Sequence, residues 1–371
     1  MGMKEKSINP REIREEDFEA VQVLCQSQNI PLDGTFFWQH HWLKNPTFLK
    51  LEGRWPIGWV LAKDSGDIVG FLGNIPLTYE WEDQQLIVAA TSTWVVEPEF
   101  RSYSLSLMSR YFKQKHVDLL LCTTAGRESG KALLGFHARP LPQPDYEKVL
   151  YWITGYDGFV QAFFRKKSWF HVLPLCPVLS LTLRGFDFIR NIFSSYPGHG
   201  IFSVFVTQTF DDQFDIFWEK IRKRKKLLVV RNRVSLHWYF SAALGEKQAW
   251  ILKCERQGTM VGYAVFIRRD RSDIGLKRAS LVDLQVLDNM PGAVEHLILL
   301  GIQECGKRGI HLLESIGFDA EKRLAMKCLS PRIRPLPNSP FYFKFKNKIL
   351  DKRFKDPEYW DGCTMDGDAC F

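Results

Sequence analysis

The sequence predicts an α/β (α+β) chain built from two similar units in tandem, each a mixed, mostly antiparallel sheet flanked by helices. Three observations predict it. Apolar runs of strand length follow one another across short polar turns, as in WVLAKD, IVGFLGNIPLTYEW and LIVAATSTWVV between residues 59 and 96. Each set of hairpins then gives way to an amphipathic helix, a continuous apolar strand and a Gly-Phe pair, at Gly135-Phe136 and again at Gly317-Phe318. The same order therefore occurs twice in 371 residues, enough chain for two ordinary cores.

Taken in order, Arg14–Cys25 places Phe18, Val21, Val23 and Leu24 near helical spacing, with Glu15, Glu16 and Asp17 in the first turn, where the helix dipole favours acids. Residues 31–56 are aromatic and irregular, and read as a second helix or a loop beside the substrate. Adjacent His40 and His41 face different ways, which argues against shared metal ligation. The hairpins lead into the central stretch, TWVVEPEFRSYSLSLMSR at residues 93–110. A β-branched run stops at Pro98, and Leu105, Leu107, Met108, Tyr111 and Phe112 then mark a helix. Its first turn carries Arg101, Ser102, Ser104 and Ser106, a setting of small side chains, amide donors and one cation that suits a phosphate.

Val96, Pro98, Arg101, Ser104 and Ser106 resemble V-x-P-x-x-R-x-x-G-x-G/A, the pyrophosphate signature of the GNAT acyltransferase superfamily, with serine at both glycine positions. An I-R-x-x-D opening at Ile13 and the Gly135-Phe136 pair are similar to further landmarks of that superfamily. The resemblance implies acetyl-CoA or another acyl-CoA as cosubstrate, with Val95, Val96, Arg101, Ser102, Tyr103, Ser104, Leu105 and Ser106 at the cofactor. It implies main-chain stabilisation of the thioester oxygen where the strand holding Val95, Val96 and Glu97 splays from its neighbour. Glu97 is the first candidate general base and Asp283, on the matching strand of the other half, the second. Where many relatives carry a tyrosine four residues before Gly-Phe, Lys131 stands here, so the proton donor is open among Tyr103, Tyr146 and water.

The expected division is a first unit at 1–160, a connecting segment at 161–197 and a second unit at 198–371. The connector has basic residues around an apolar stretch broken by Pro174 and Pro177, which argues against a membrane span. The leading expectation for it is an interdomain helix with its apolar face buried, and the alternative is a membrane-surface segment. The second unit lacks an arginine matching Arg101: Asn289-Met290-Pro291-Gly292-Ala293 stands there, which points to a scaffold and acceptor side without conventional CoA binding. The chain end, with Tyr359, Trp360, Asp366 and Asp368, resembles the ends of tandem GNAT-like proteins of bacterial surface-polysaccharide synthesis. That likeness implies aromatic stacking on a sugar by Tyr359 and Trp360, and an amine held by Asp366 or Asp368; a loose acidic tail is the plainer alternative.

The composition fits. Charged residues are 25% and apolar ones 45%, as in globular domains, while 14% aromatics suit large cores or a stacking cleft. The net charge of +8 suits anionic ligands; the basic run Arg222–Lys226 comes without any nucleic-acid motif, so nucleic acid is not an expected partner. Eight cysteines lack metal or disulfide spacing, no metal is expected, and the start of the chain lacks the apolar run of a signal peptide, so the cytoplasm is the expected compartment. The expected activity is acyl-CoA-dependent N-acyl transfer, most simply N-acetyl transfer, to an amino sugar or related cell-envelope precursor, with a nucleotide-linked amino sugar as one such acceptor. The alternatives are a catalytically inactive tandem binding module and an aminoacyl-tRNA-dependent transferase of the peptidoglycan-bridge type.

Overall fold

The computed structural model describes residues 8–30, 32, 34–192 and 202–370. In chain order its strands are β1 (Ile8–Glu12), β2 (Gly58–Lys63), β3 (Ile68–Trp81), β4 (Gln84–Val96), β5 (Leu119–Cys122), β6 (Arg139–Pro140) and β7 (Lys148–Ile153) in the first part. The second part holds β8 (Ser203–Thr207), β9 (Leu228–Val229), β10 (Ala249–Arg256), β11 (Thr259–Arg268), β12 (Arg278–Val286), β13 (Leu312–Ser315), β14 (Arg332–Pro335) and β15 (Tyr342–Phe345). The longer helices are α1 (Phe18–Ser27), α2 (Ser104–Phe112), α3 (Arg127–Gly135), α4 (Tyr156–Lys166), α5 (Cys176–Ile192), α6 (Asp212–Ile221), α7 (Arg233–Gly245), α8 (Ala293–Lys307) and α9 (Ala320–Lys327).

The expected two mixed, mostly antiparallel sheets are present. One runs β1-β2-β3-β4-β5-β15-β6 with β9 beside β3; the other runs β14-β7-β13-β12-β11-β10-β8. Their long hairpins close in the same way. Glu82 and Asp83 between β3 and β4, and Gln257 and Gly258 between β10 and β11, all take positive φ, the two-residue turn whose twist matches that of paired strands.

Sequence order and spatial order part company at the ends of the units. β7, numbered with the first unit, pairs antiparallel with β13 of the second sheet, while β15, numbered with the second, pairs with β5 of the first. The expected boundaries at 160 and 197 divide the chain by sequence but cut across both sheets. Each sheet is completed by a strand from the other half, and a single apolar cluster from Val21 to Cys370 runs through both. Trp238 of α7 donates its indole N–H to the His40 carbonyl at 2.7 Å, a further tie between the halves.

One expectation is corrected here. The connector was expected to bury its apolar face between the halves, yet α4 and α5 form a hairpin whose apolar residues face outward, with Phe163, Leu175, Val178, Leu181, Phe186, Phe188 and Ile189 exposed.

Candidate functional site

The site is built on strands that separate. β4 runs parallel to β5 for only three pairs, Val88↔Leu119 to Ala90↔Leu121. At the last of these the Tyr111 hydroxyl, brought in by α2, lies 2.7 Å from the Ala89 carbonyl and 2.8 Å from that of Leu121, and accepts the Leu121 N–H at 3.0 Å. Beyond this clamp β4 bends. Leu72 faces Trp94 and Gly73 faces Ser92, so Thr93 is an extra residue, at φ +40. A positive φ is strained for a β-branched residue, and strain of this kind collects at functional positions. Opposite it only glycine fits, because a Cβ at Gly73 would sit 2.8 Å from the Ser92 carbonyl. The result is the expected splay: a wedge beside residues 91–96, whose β5-side backbone has no strand partner. Val95 is buried there, Val96 half-buried, and the Trp94 indole nitrogen is buried without a hydrogen-bond partner.

The wedge ends at the predicted phosphate turn. Pro98–Tyr103 forms a 3-10 helix that continues directly into α2. Arg101 and Ser102 are exposed, and Arg101 makes no ion pair with any described residue. Tyr103 and Leu105 are exposed as well, Ser104 and Ser106 half-buried. The amide cradle needs correction in part. The Phe100 N–H donates to the Glu97 carbonyl at 2.9 Å, the Ser104 N–H donates to Arg101, and the Ser106 hydroxyl donates to Tyr103, so these donors are spent within the helix. The Phe100 and Ser104 amides are thus already used, while Arg101 and Ser102 remain exposed on the turn. Glu97 precedes it, half-buried, its carboxylate without a partner among the described residues.

The second sheet repeats the bulge. Val265 faces Asp283 and Phe266 faces Leu281, leaving Val282 as the extra residue, and β12 pairs with β13 only through Leu281. Aligned on the bulges, Asp283 corresponds to Trp94 and not to Glu97. This second wedge is filled. The Met365 N–H donates to the Val282 carbonyl at 3.1 Å, Lys322 donates to the Leu284 carbonyl at 2.8 Å and to Asp361, and Gln285 donates to Asp361 at 3.0 Å. The chain itself thus takes up the wedge at Val282–Gln285, while a cavity of about 430 Å³ lies beyond it at Asn289–Gly292, lined also by Arg224, Lys226 and Lys322.

Asp283 is fully buried, with its carboxylate 3.0 Å from the Arg231 guanidinium and 2.6 Å from the Tyr263 hydroxyl. It is a structural ion-pair member, closed to a substrate amine, which corrects its expected role as second base. Trp360 is corrected too: it is 1% exposed, packed among Phe341, Phe343 and Phe354, and offers no face to a sugar. Tyr359 turns edge-on to Trp81 and Phe354 at the hairpin end of β3. Tyr146 is buried, and burial pushes its phenol well above the usual range.

The acidic tail is not loose. Asp366 accepts the Cys363 N–H at 2.7 Å and the Tyr79 hydroxyl at 3.3 Å; Asp368 accepts from Thr123 at 2.9 Å and from Thr124 at 3.1 Å. Gly367 between them takes φ +108 and lies tightly against Thr123. Burial pushes both carboxyls up to about 6, against the opposing pull of Arg231 on Asp366 and of the two threonine hydroxyls on Asp368. A carboxylate poised near neutrality is the form a general base needs.

Thr123 and Thr124, which follow β5 directly, line a cavity of about 430 Å³ between the halves, together with Val282, Thr364 and Ala369. Its polar wall comes from the second sheet: Arg269, Arg278, Arg334 and Glu314. Glu314 accepts from Arg278 at 3.0 Å and from Arg334 at 2.6 Å, so two guanidinium groups share one carboxylate, while Arg269 donates to the Ala369 carbonyl at 3.2 Å. Sequence reasoning missed this wall. Arg278, Ser280 and Val282 do alternate along one strand, but nothing in their order tells which sheet face they share with Arg334.

Arg222, Arg224 and Lys226 of the basic run are held by Glu80, Asp288 and Asp319. No group of three or more His, Cys, Asp or Glu residues with metal-binding geometry occurs among the described residues.

The architecture is similar to solved acyltransferase structures. A GCN5-related N-acetyltransferase from Anabaena variabilis aligns over 92% of this chain and 73% of its own, at 11% identity and TM-score 0.52. A probable N-acyltransferase from Enterococcus faecalis aligns over 92% and 72%, at 10% identity and TM-score 0.56. N-myristoyltransferase of Saccharomyces cerevisiae, solved with bound myristoyl-CoA, aligns over 92% and 79%, at 12% identity and TM-score 0.51. At such identities the likeness establishes a common fold. No protein-family profile and no curated protein matches the sequence.

Proposed function

We propose that this chain transfers an acyl group from an acyl-CoA thioester to the amine of a small acceptor carrying negative charge. The observation that supports the reading is the short pairing of β4 with β5, which stops at Ala90 and Leu121 and leaves the edge of residues 91–96 without a strand partner, with the arginine-walled cavity at Thr123 and Thr124 just after β5. The pantetheine arm would lie along the unpartnered edge of Val95 and Val96, with the diphosphate at Arg101, Ser102 and the neighbouring turn of Tyr103, Ser104, Leu105 and Ser106. Similarity of fold to acyltransferases, one of them solved with myristoyl-CoA, supports the thioester.

The chemistry asks little of the protein beyond positioning. The acceptor nitrogen attacks the thioester carbonyl carbon, the carbon–sulfur bond breaks and the thiolate leaves. Asp368 takes the ammonium proton, its carboxyl held at about 6 and hence largely ionised at neutral pH. Glu97, half-buried beside the phosphate turn, is the other candidate for that proton. The arginines suit an acceptor with phosphate, and a nucleotide-linked amino sugar of envelope synthesis meets that need, in line with the cytoplasm as its place of action.

Thiol release from acetyl-CoA and from myristoyl-CoA, with UDP-glucosamine as the acceptor probe, tests the reading. Acceptor-dependent release is expected. Absence of calorimetric heat with CoA together with absent thiol release would favour the inactive binding module, the reading that the closed Ser104 amide supports. No structural observation favours the tRNA-dependent alternative, because three of the five cations in its basic run are already paired.

A further inference from the structure

The α4–α5 hairpin is inside out. On α5, Cys176, Ser180 and Asp187 are turned inward and buried, while Val178 (63% exposed), Leu181 (71%), Phe188 (69%) and Ile189 (57%) face away from the protein. Asp187 is fixed by Arg332 at 2.8 Å and by the Tyr156 hydroxyl at 3.2 Å, which sets the rotation of the helix and keeps its apolar side out. Phe163, Trp169, Phe170 and Leu175 extend the same exposed surface toward the turn. An isolated exposed leucine needs no explanation; a contiguous aromatic and aliphatic face over two helices does.

The charge at the turn end of this face is positive. Arg165, Lys166 and Lys167 are exposed at the turn and Arg184 along α5; the acids of the two helices are Asp157, at the far end of α4, and the buried, paired Asp187. Apolar side chains rimmed by cations, with Trp169 among them, are the pattern of a helix that lies in an anionic lipid interface.

By length and mean hydropathy of 1.5, Phe170–Arg190 would also qualify as a membrane span. The topology rules that out. β5 and β7 precede this segment and β13 and β15 follow it, yet β5 pairs with β15 and β7 with β13. A single crossing would put the two members of each pair on opposite sides of the bilayer.

We infer that the α4–α5 hairpin docks this protein in the plane of an anionic, phosphate-bearing lipid bilayer. Arg332, which holds Asp187, shares β14 with Arg334 of the cavity wall. The inference does not rest on the acyl-transfer reading.

Cosedimentation of the full chain with vesicles of phosphatidylcholine and phosphatidylglycerol, against phosphatidylcholine alone, tests it. Binding to the anionic vesicles is expected, weaker at high salt. The paired change Leu181→Glu and Phe188→Glu is expected to lower partitioning about tenfold or more, since each buried apolar group counts in such binding. Lys166→Glu with Lys167→Glu is expected to remove the preference for anionic lipid. All four side chains are exposed, so the melting temperature should stay within a few degrees of the parent, as is usual for surface changes. Wild-type protein that stays in the supernatant with anionic vesicles overturns the proposal, as does unchanged binding of both variants. A dimer split by Leu181→Glu and Phe188→Glu without any vesicle binding would assign the face to a second copy instead.

Discussion

The Arg231 guanidinium donates to the Asp283 carboxylate at 3.0 Å with neither side chain exposed, and through this contact the segment after β9 is fastened to β12 of the other sheet. The pair sits where the two halves interleave. Tyr263 adds a hydroxyl to the same carboxylate, and Arg231 also reaches the Val229 carbonyl at 3.1 Å.

Removing one member of a buried pair strands the other charge. Asp283→Ala is therefore expected to cost about 3 to 5 kcal/mol of stability, seen as a lower urea midpoint. Normal stability with lost turnover would instead return Asp283 to the chemistry.

Asp368 should set the acid limb of the pH profile. With its carboxyl at about 6, the wild-type rate is expected to rise with pH through that value and level off above it. Asp368→Asn should lose about 100-fold or more in kcat and flatten that limb, in keeping with the loss of a general base. An unchanged limb in the variant would show that another group accepts the proton.

Asp366 makes a prediction about stability. Its carboxyl is raised from 3.8 to about 6, so the folded protein binds that proton more tightly than the unfolded chain. The resulting stabilisation is complete below about pH 4 and is lost as pH rises through about 6, an amount of up to about 3 kcal/mol. Unfolding free energies of Asp366→Asn should fall less between pH 4 and 7 than those of the wild type. Parallel curves would contradict the assignment.

Arg334 and Arg278 should govern acceptor binding. Arg334→Gln is expected to raise the KM for a phosphate-bearing amine about tenfold while kcat changes less, because a charge-assisted contact is lost in ground and transition states alike. An equal effect on an uncharged amine would argue against an anion-binding wall.

Arg101 is the exposed cation of the phosphate turn. Arg101→Ala is expected to weaken CoA binding about tenfold at low salt, with a smaller effect at high salt. Affinity that does not move would place the diphosphate elsewhere.

Much of the architecture was legible in the chain because it is written in local pattern. The alternation of β3 and β4, the polar turns and the helix after Pro98 all depend on residues close in sequence. Even the splay beside Val95 and Val96 was foreseeable, through the resemblance at Val96, Pro98 and Arg101. The direction of α5 was not, because its amphipathic pattern shows two faces and does not say which one meets protein.

What the sequence by itself determined, then, is the kind and order of the elements and the place of a candidate phosphate turn. Tertiary structure alone decided that β7 and β15 trade sheets, that Asp283 is locked to Arg231 and Trp360 sealed in the core, and that Asp368 is held by Thr123 and Thr124 at the end of β5. These depend on contacts between residues far apart in the chain, from Arg231 and Asp283, 52 positions apart, to Thr123 and Asp368, 245 apart. Burial, which sets both the ion pairing of Asp283 and the raised carboxyl of Asp368, exists only once such distant segments have packed.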